Sequence, residues 1–421
     1  MELKKYKLGE LMEVTRGMSL CGDYYSTEGD LMRLTLGNFD YRNNCFKDDK
    51  SKDNLYFSGD VKTEFILNKG DIITPLTEQA IGLLGSTAKV PCDGKYIQSQ
   101  DVGLIRCNEN LCPDFAFYLI PSKVVRTQLS AAAQQTKIRH TSPDKIKNCT
   151  VWIPKYAEQE RIGKLLSSLD DKIALNRRIN AELEAMAKEL YDYYFVQFDF
   201  PNADGKPYKS SGGKMVYSDV LKREIPEGWE VKKLGEICTF RNGINYDKNE
   251  IGNKTYKIVN VRNITASSLL LNQNDFDKIC LKANKADNYL IPENSILIAR
   301  SGSPGATRII IGVGENVIFC GFIICMEKFE PTLKIYLTFV LKMLENTNAT
   351  KTGGSILQNV SQETLKSLPV VVPPKEIISA FNEKTLSIFN YQLSIEKETQ
   401  QLIALRDELL PLLMNGQVEV R

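Results

Sequence analysis

Hydrophobic positions in the middle of the chain follow a helical period. Between residues 157 and 196, apolar side chains recur in alternating steps of four and three, the heptad pattern of a coiled-coil helix. The positions that follow this pattern form one stripe along the helix, here called the seam. They are Ile162, Leu166, Leu169, Ile173, Asn176, Asn180, Leu183, Ala187, Leu190 and Tyr194. Two are asparagines, and a buried asparagine in such a seam commonly fixes register. The pattern predicts a long amphipathic helix.

A second heptad pattern begins after Pro374. Its seam positions are Ile378, Phe381, Ile388, Ile395, Leu402, Leu409 and Leu413, with polar residues between them. Helices that only face the core of their own domain usually have 8–20 residues. We therefore predict that the two long helices pair with each other and act as a spacer. Packing of each helix on its own domain is the alternative.

The segments before the two helices are related by an internal repeat. The matching stretches are YKLGELMEVTRG (6–17) with KKLGEICTFRNG (232–243), ILNKGDIIT (66–74) with LIPENSILIA (290–299), and QTKIRHTSPDKIKNCTVWIP (135–154) with GSILQNVSQETLKSLPVVVP (354–373). The offset decreases from 226 to 224 to 219, as a few loop deletions would produce. A period this long indicates a duplicated domain.

Each copy has alternating or β-rich runs, among them 256–264, 295–302 and 307–314, and predicts strands there. A short helix capped by Ser142 or Ser361 and a final strand then precede the long helix. The fold class is α+β. We predict a first lobe at 1–155, a central helix at 156–201, a second lobe at 202–373 and a C-terminal helix at 374–421.

Composition narrows the classes of protein. The chain has 421 residues, of which 43% are hydrophobic, with no apolar run of membrane-spanning length and no secretion-signal pattern. Ten cysteines without a CxxC pair are expected to be reduced thiols in the cytoplasm. The two lobes carry net charges of +2 and +5 and the two helices −3 and −2, which is compatible with phosphate contact by the lobes.

Motifs for catalysis are missing from the sequence. It contains no GxxxxGK[ST] loop, no glycine-rich turn of the kind that binds S-adenosylmethionine, and no Asn/Asp-Pro-Pro-aromatic string. A single histidine, His140, gives a nucleophilic triad little to build on. We therefore predict no catalytic residue, cofactor or metal, and a protein that confers specificity on catalysts carried by other chains.

Four stretches carry a resemblance to a known family. They are IPKYAEQERIGKLLSSLDDKI (153–173), VPPKEIISAFNEK (372–384), GGSILQNVSQETLKSLPV (353–370) and ELLPLLMNGQVEV (408–420). With the order lobe, helix, lobe, helix over the whole chain, they resemble the specificity subunit of type I restriction-modification enzymes. The second junction departs from the first, because it lacks the Glu-Gln-Glu-Arg-Ile string.

The resemblance implies two target recognition domains separated by two long antiparallel coiled-coil helices. Each lobe would contact one half of a split site in double-stranded DNA. The helices would set the spacing and present a surface to two methyltransferase subunits, with restriction-translocation subunits as additional partners and no membrane association. The residues expected at this spacer and subunit interface are Ile162, Leu166, Leu169, Ile173, Asn176, Asn180, Leu183, Leu190, Ile388, Ile395, Leu402 and Leu409.

Candidate DNA contacts follow from the side chains that read bases and hold phosphates. In the first lobe they are Arg16, Gln134, Gln135, Thr136, Lys137, Arg139 and His140. In the second lobe they are Arg241, Arg262, Asn263, Arg300, Ser301, Lys351, Thr352, Ser355, Gln358 and Asn359. The glycines in the surrounding turns, TRG, FRNG, ARSGS and KTGGS, are expected to let the backbone approach a ligand.

Three other interpretations stay open. One is a self-contained nuclease with duplicated halves, and another is a scaffold whose lobes bind proteins instead of DNA. The third is a specificity subunit of a related restriction-modification type. Cleavage by the purified chain would favour the first, and absence of salt-sensitive DNA binding would favour the second.

Overall fold

The computed structural model describes residues 2–41, 43–49, 52–78, 82–132, 139–247, 252–266, 268–349 and 360–420. The chain forms two compact units, Met1–Leu175 with Glu398–Arg421, and Asn176–Lys397. Each unit contains one lobe and one half of each long helix, so the division falls within the helices. None of the described helices combines the length and the apolar composition that a membrane crossing requires.

The first lobe is built on a four-stranded antiparallel sheet. In order across the sheet, its strands are Ala88–Lys89, Ile72–Pro75, Val102–Cys107 and Met12–Arg16. A five-stranded sheet has the order Tyr25–Ser26, Tyr56–Phe57, Met32–Arg33, Tyr96–Ile97 and Ile66–Leu67. Three strand pairs complete it: Lys4–Lys7 with Thr150–Ile153, Thr77–Glu78 with Arg139–His140, and Phe39–Asp40 with Cys45–Phe46. Its α-helices are Pro113–Leu119, Lys123–Ala132 and Pro143–Lys147.

The second lobe repeats the four-stranded sheet. Its strands, in the corresponding order, are Thr307–Arg308, Ser295–Ala299, Ile323–Glu327 and Thr239–Asn242. The other sheet has the order Asp277–Leu281, Lys254–Val259 and Val317–Phe319, and the strand pairs are Met215–Ser218 with Arg223–Pro226 and Glu230–Lys233 with Pro369–Val372. Its α-helices are Leu234–Ile237, Val261–Ala266, Ala283–Ala286, Lys334–Ala349 and Gln362–Ser367. The α+β class and the duplication are thus confirmed. Two of the predicted strands were wrong in part, because 256–264 is a strand only to Val259 and then a helix from Val261, and 307–314 is a strand only at Thr307–Arg308.

The repeat is visible in individual hydrogen bonds. The Leu8 N–H donates to Cys149 O at 2.9 Å, and the Leu234 N–H donates to Leu368 O at 2.9 Å. Both contacts join the start of a lobe to the short helix near its end. The serine caps are also confirmed, since the side chains of Ser142 and Ser361 each accept a backbone N–H three residues on.

Both faces of each four-stranded sheet are buried, which explains the continuous apolar sequence of the central strands. In the second lobe, Ile296 and Ile298 belong to a cluster that includes long-helix residues, whereas Leu297 and Ala299 belong to a cluster with the smaller sheet. The first lobe divides its strand residues between two clusters in the same way. Each sheet is therefore a layer between the long helices and a small β-rich subdomain.

The long helices are Tyr156–Tyr191, here called the central helix, and Lys375–Met414, the C-terminal helix. A π-helical turn at Asp192–Val196 continues the central helix to the predicted end. All residues of the two predicted seams are buried or partly buried. The polar residues of the second seam are buried too, namely Thr385, Gln392 and Thr399, as is Asn176 of the first.

Within each unit the two helix segments run antiparallel. In the first unit, Asp170 pairs with Arg406 at 2.8 Å and Lys172 pairs with Glu398 at 3.3 Å. Residue numbers in the C-terminal helix therefore fall as those in the central helix rise. In the second unit, the Gln392 amide donates to Asn180 O at 2.8 Å, and the Tyr194 ring lies 5.7 Å from that of Phe381, so the order is reversed there too. Helix residues also join the apolar cluster of the lobe in the same unit. Pairing of the helices and packing on the lobes, the two alternatives above, therefore occur together.

Two of the glycines that were expected to let the backbone approach a ligand are instead packed against backbone of the same lobe. A Cβ added to Gly17 would lie 2.1 Å from Gln98 O, and one added to Gly243 would lie 2.2 Å from Cys320 O. The glycines thus occupy equivalent positions in the two lobes, where the first sheet strand ends against a neighbouring turn. Close packing against the backbone explains why both positions require glycine, and no ligand is needed to account for them.

Alanine at either position should destabilise its lobe. Because the added methyl meets backbone atoms, we expect Gly17→Ala and Gly243→Ala each to cost about 1–3 kcal/mol, measured as lower midpoints of thermal unfolding. Gly22→Ala is the matched control, since a Cβ there meets nothing within 4 Å. Equal midpoints for Gly17→Ala and Gly22→Ala would contradict the packing account.

Arg406 should contribute more stability than the neighbouring exposed pair. Its side chain is 12% exposed, and Asp170 also accepts a hydrogen bond from the Tyr118 hydroxyl at 2.6 Å. Burial, together with the Asp170 charge, raises the pKa of Tyr118. Arg406→Met removes the cation from this partly buried group, and we expect a loss of about 1–3 kcal/mol in urea unfolding.

Lys172→Met supplies the control in the same unit. Lys172 and Glu398 are each more than two-fifths exposed, and such pairs contribute roughly 0–1 kcal/mol. A loss for Lys172→Met as large as that for Arg406→Met would contradict this ranking.

Candidate nucleic-acid interface

The central sheet of the first lobe ends in a corner, where the turn before Val102–Cys107 meets the end of Ile72–Pro75. The Leu76 N–H donates to Asp101 O at 2.8 Å, and the Thr141 N–H donates to Leu76 O at 2.9 Å. The corner therefore joins three separate parts of the lobe through backbone hydrogen bonds.

Side chains at this corner form a hydrogen-bonded chain that ends in His140. The Thr77 hydroxyl donates to Asp101 Oδ1 at 2.9 Å, and the hydroxyl oxygen of Thr77 lies 3.2 Å from His140 Nδ1. Because the carboxylate accepts only, the hydroxyl proton is directed to Asp101 and the histidine must donate from Nδ1. The exposed imidazole then presents Nε2 as an acceptor when it is neutral.

The second lobe has the same corner with different side chains. The Arg300 N–H donates to Phe322 O at 2.8 Å, and the Val360 N–H donates to Arg300 O at 3.3 Å. Arg300 thus corresponds to Leu76, and Phe322 corresponds to Asp101. Ser301 takes the place of Thr77, and the position of His140 corresponds to Asn359, which lies outside the described residues.

A polar cavity of about 310 Å³ adjoins the first corner, because Asp101 lines it. Arg33, Lys47 and Lys52 also line it. The Arg33 guanidinium lies 3.9 Å from the ring centroid of Tyr25 and donates to a backbone oxygen, so its position is fixed. Asp49 and Asp101 also line the cavity, so its three cations face two carboxylates and leave an excess of one positive charge close to the corner.

Two of the predicted arginines are available to a ligand. Arg16 and Arg300 are exposed, and neither guanidinium has a hydrogen-bonded or ionic partner within the described ranges. Each comes at the end of a strand of its central sheet. Both side chains can thus bind phosphate or a base edge without breaking an internal contact.

Arg241 and Asn263 have structural partners instead. Arg241 pairs with Glu327 at 2.8 Å, donates to two carbonyl oxygens and lies over the Phe319 ring. Asn263 is 4% exposed. Its amide oxygen accepts from the Asn260 N–H at 2.8 Å, and its amide nitrogen donates to Asp275 O at 3.0 Å. A base contact would disrupt these bonds, so we exclude both residues from the proposed interface.

For the remaining predicted DNA contacts, the structure describes the side chain of some, only the backbone of one, and nothing of the others. Arg262 forms an exposed ion pair with Asp277, which a phosphate could replace at little cost. The backbone of Arg139 forms a strand with Glu78. Several residues fall outside the described part of the chain, namely Gln134, Gln135, Thr136, Lys137, Lys351, Thr352, Ser355 and Gln358.

Thr77, Asp101 and Phe322 were not among the predicted site residues. The signal for Thr77 was present, since it follows the stretch ILNKGDIIT that matches the second copy. Asp101 and Phe322 have different chemistry at equivalent positions, so comparison of the two copies by residue type could not find them.

The outer faces of the long helices carry apolar side chains that the seam patterns do not include. The exposed residues are Tyr156, Leu175, Met186, Leu386, Tyr391 and Leu405. The seam residues are turned inward, and these outer residues are the ones accessible to another protein.

Metal coordination receives no support from the side chains whose placement is described. No group of three or more His, Cys, Asp or Glu residues among them could hold an ion. All ten cysteines are free thiols.

Comparison with known proteins gives matches along most of the chain. Residues 2–185 and 226–405 each match the family model described as the type I restriction modification DNA specificity domain. The chain is 25% identical over 315 residues to the type I restriction enzyme MjaIX specificity subunit of Methanocaldococcus jannaschii, covering 74% of this chain and 70% of that protein. It is 26% identical over 388 residues to the HindI specificity subunit of Haemophilus influenzae, covering 77% and 81%.

A solved structure supports the fold. The type I restriction-modification system S subunit from M. genitalium superposes with a TM-score of 0.54 at 16% identity, covering 98% of this chain and 96% of that one. This likeness confirms the architecture of two lobes and two long antiparallel helices.

The His140 tautomer can be tested directly, because the chain has one histidine. We expect nitrogen NMR of histidine-labelled protein to show a proton on Nδ1 at a pH where the ring is neutral. Thr77→Val removes the only acceptor described at that nitrogen and should shift the population toward the Nε2–H tautomer. Unchanged nitrogen shifts in Thr77→Val would contradict the hydrogen-bonded chain, and Thr63→Val serves as the control.

Proposed function

The chain belongs to the family of type I restriction modification DNA specificity domains, and we propose that it reads a bipartite target in double-stranded DNA, with one half-site bound by each lobe. The observation that carries the proposal is the duplicated corner. Two lobes share a backbone frame but present different side chains at the same position, as two readers of different sequences require.

DNA binding centres on the corners in this proposal. Arg16 and Arg300 hold phosphate or guanine, and His140 contacts a base edge from the orientation that Thr77 fixes. Arg139, Arg262 and Ser301 add contacts near them. The segments around Gln134–Lys137 and Lys351–Asn359 complete the interface, as their equivalent positions in the repeat suggest.

Two methyltransferase subunits are the proposed protein partners, with restriction-translocation subunits as additional ones. Exposed apolar side chains on the helices support this role, since they can pack against another chain without unfolding the seam. We further propose that the length of the helix pair sets the number of unread base pairs between the half-sites. Each helical residue adds about 1.5 Å of length.

Methylation and cleavage are assigned to these partners, because the sequence lacks a nucleotide-binding loop and an amino-methyltransferase motif. The chain itself then needs no cofactor. We place the complex in the cytoplasm, which agrees with ten unpaired thiols.

Exchange of one lobe tests the proposal. When the chain is co-expressed with its methyltransferase subunit, we expect a split methylated site in genome-wide mapping. Replacing residues 202–373 by the equivalent lobe of a relative should change one half-site and keep the other, because each lobe reads independently.

Replacement of residues 1–155 is the reciprocal control and should change only the opposite half. A map in which both halves change together would contradict independent reading. If the complex shows no salt-sensitive DNA binding at all, the chain does not read DNA.

A further inference from the structure

Phe322 occupies an unusual place for an apolar residue. It is 62% exposed in the turn between Val317–Phe319 and Ile323–Glu327. A single exposed apolar side chain is ordinary on a protein surface. This one stands at the corner equivalent to that of Asp101, the residue that orients His140 through Thr77 in the first lobe.

The backbone around Phe322 is held on both sides. Its carbonyl accepts from the Arg300 N–H at 2.8 Å, the preceding Gly321 N–H donates to Ile244 O at 2.8 Å, and the Ile323 N–H donates to Cys320 O at 3.0 Å. The phenyl ring is therefore carried by a backbone that is already ordered. A contact made by the ring then costs only the freedom of one side chain and does not require the turn to be ordered.

The neighbours of the ring favour DNA as the occupant. Arg300 is exposed and its guanidinium has no partner in the described part of the chain. Asn245 lies at the same turn, because its amide oxygen would be 2.0 Å from a Cβ on Gly321, the residue before Phe322. An aromatic ring with a free cation and an amide beside it combines apolar contact, phosphate attraction and hydrogen bonding, which are the elements of base reading.

We propose that Phe322 contacts the 5-methyl group of a thymine in the half-site bound by the second lobe, with Arg300 holding the adjacent DNA by its charge. This inference rests on the proposed function. The thymine methyl is the one apolar group that base pairs present in the major groove, and phenylalanine is among the side chains that read it. The two lobes would then use the same corner for different bases, His140 in one and Phe322 in the other.

Substitution of thymine by deoxyuridine tests the contact, because it deletes the methyl group alone. The complex with the methyltransferase subunit is measured on duplexes in which each thymine of the second half-site is replaced in turn. We expect wild-type binding to weaken roughly fourfold at one position, the effect of removing one buried methyl-sized group. Phe322→Ala should bind the thymine and deoxyuridine duplexes equally, and Phe322→Leu should keep part of the difference.

Tyr217→Ala is the matched control, since Tyr217 is a similarly exposed aromatic residue (58%) in the same unit. It should keep the wild-type sensitivity, and thermal midpoints verify that each variant is folded. If Phe322→Ala still distinguishes thymine from deoxyuridine at the sensitive position as strongly as the wild type does, the thymine contact is wrong. The same follows if the second half-site contains no thymine. Neither result contradicts the proposed function. Weakening by Phe322→Ala without any sensitivity to the methyl group also overturns the thymine contact, because the ring would then act as a wedge between bases. Failure of the wild-type complex to bind its DNA specifically would overturn the proposed function.

Discussion

Antiparallel pairing of an early strand with the last strand closes each lobe, and the rest of the structure depends on it. Lys4–Lys7 pairs with Thr150–Ile153, and Glu230–Lys233 pairs with Pro369–Val372. Since the long helix begins within a few residues of the last strand, this pairing fixes where the helix leaves the lobe. Each lobe is thus closed immediately before a long helix, and its sequence can vary inside a constant frame.

The helices are held by a mixture of apolar and polar contacts. Leucine and isoleucine side chains of the seams join the helices to the lobe clusters, while the polar contacts join one helix to the other within each unit: Asp170 with Arg406 in the first and Asn180 with Gln392 in the second. Polar groups in an interface can select one register, because another register would leave them without partners. A fixed register is what the proposed measurement of distance between half-sites requires.

Variation within a constant frame is clearest at the two corners. The backbone hydrogen bonds of Leu76 and Arg300 correspond, yet one residue is buried and the other is an exposed cation. The Leu76 side chain is part of the core of the first lobe, whereas the Arg300 side chain is open to a ligand, so the shared main-chain hydrogen bonds tolerate different side chains. This separation of frame from surface agrees with a protein that confers specificity on partners.

The sequence by itself determined the duplication, the two heptad seams, the serine caps and the absence of familiar catalytic motifs, because each depends on local spacing or residue type. It also identified Arg16, His140 and Arg300 near the corners, since they adjoin repeated stretches. Tertiary structure decided which polar residues were available. Arg241 bonds to Glu327, which is 86 residues away in the chain, and Asn263 is buried in a turn where it bonds to Asp275. Gly17 and Gly243 make room for backbone that no local pattern places there. Only the folded chain joined Asp101 to His140 and aligned Phe322 with Asp101, because these relations arise from strand pairing over tens of residues.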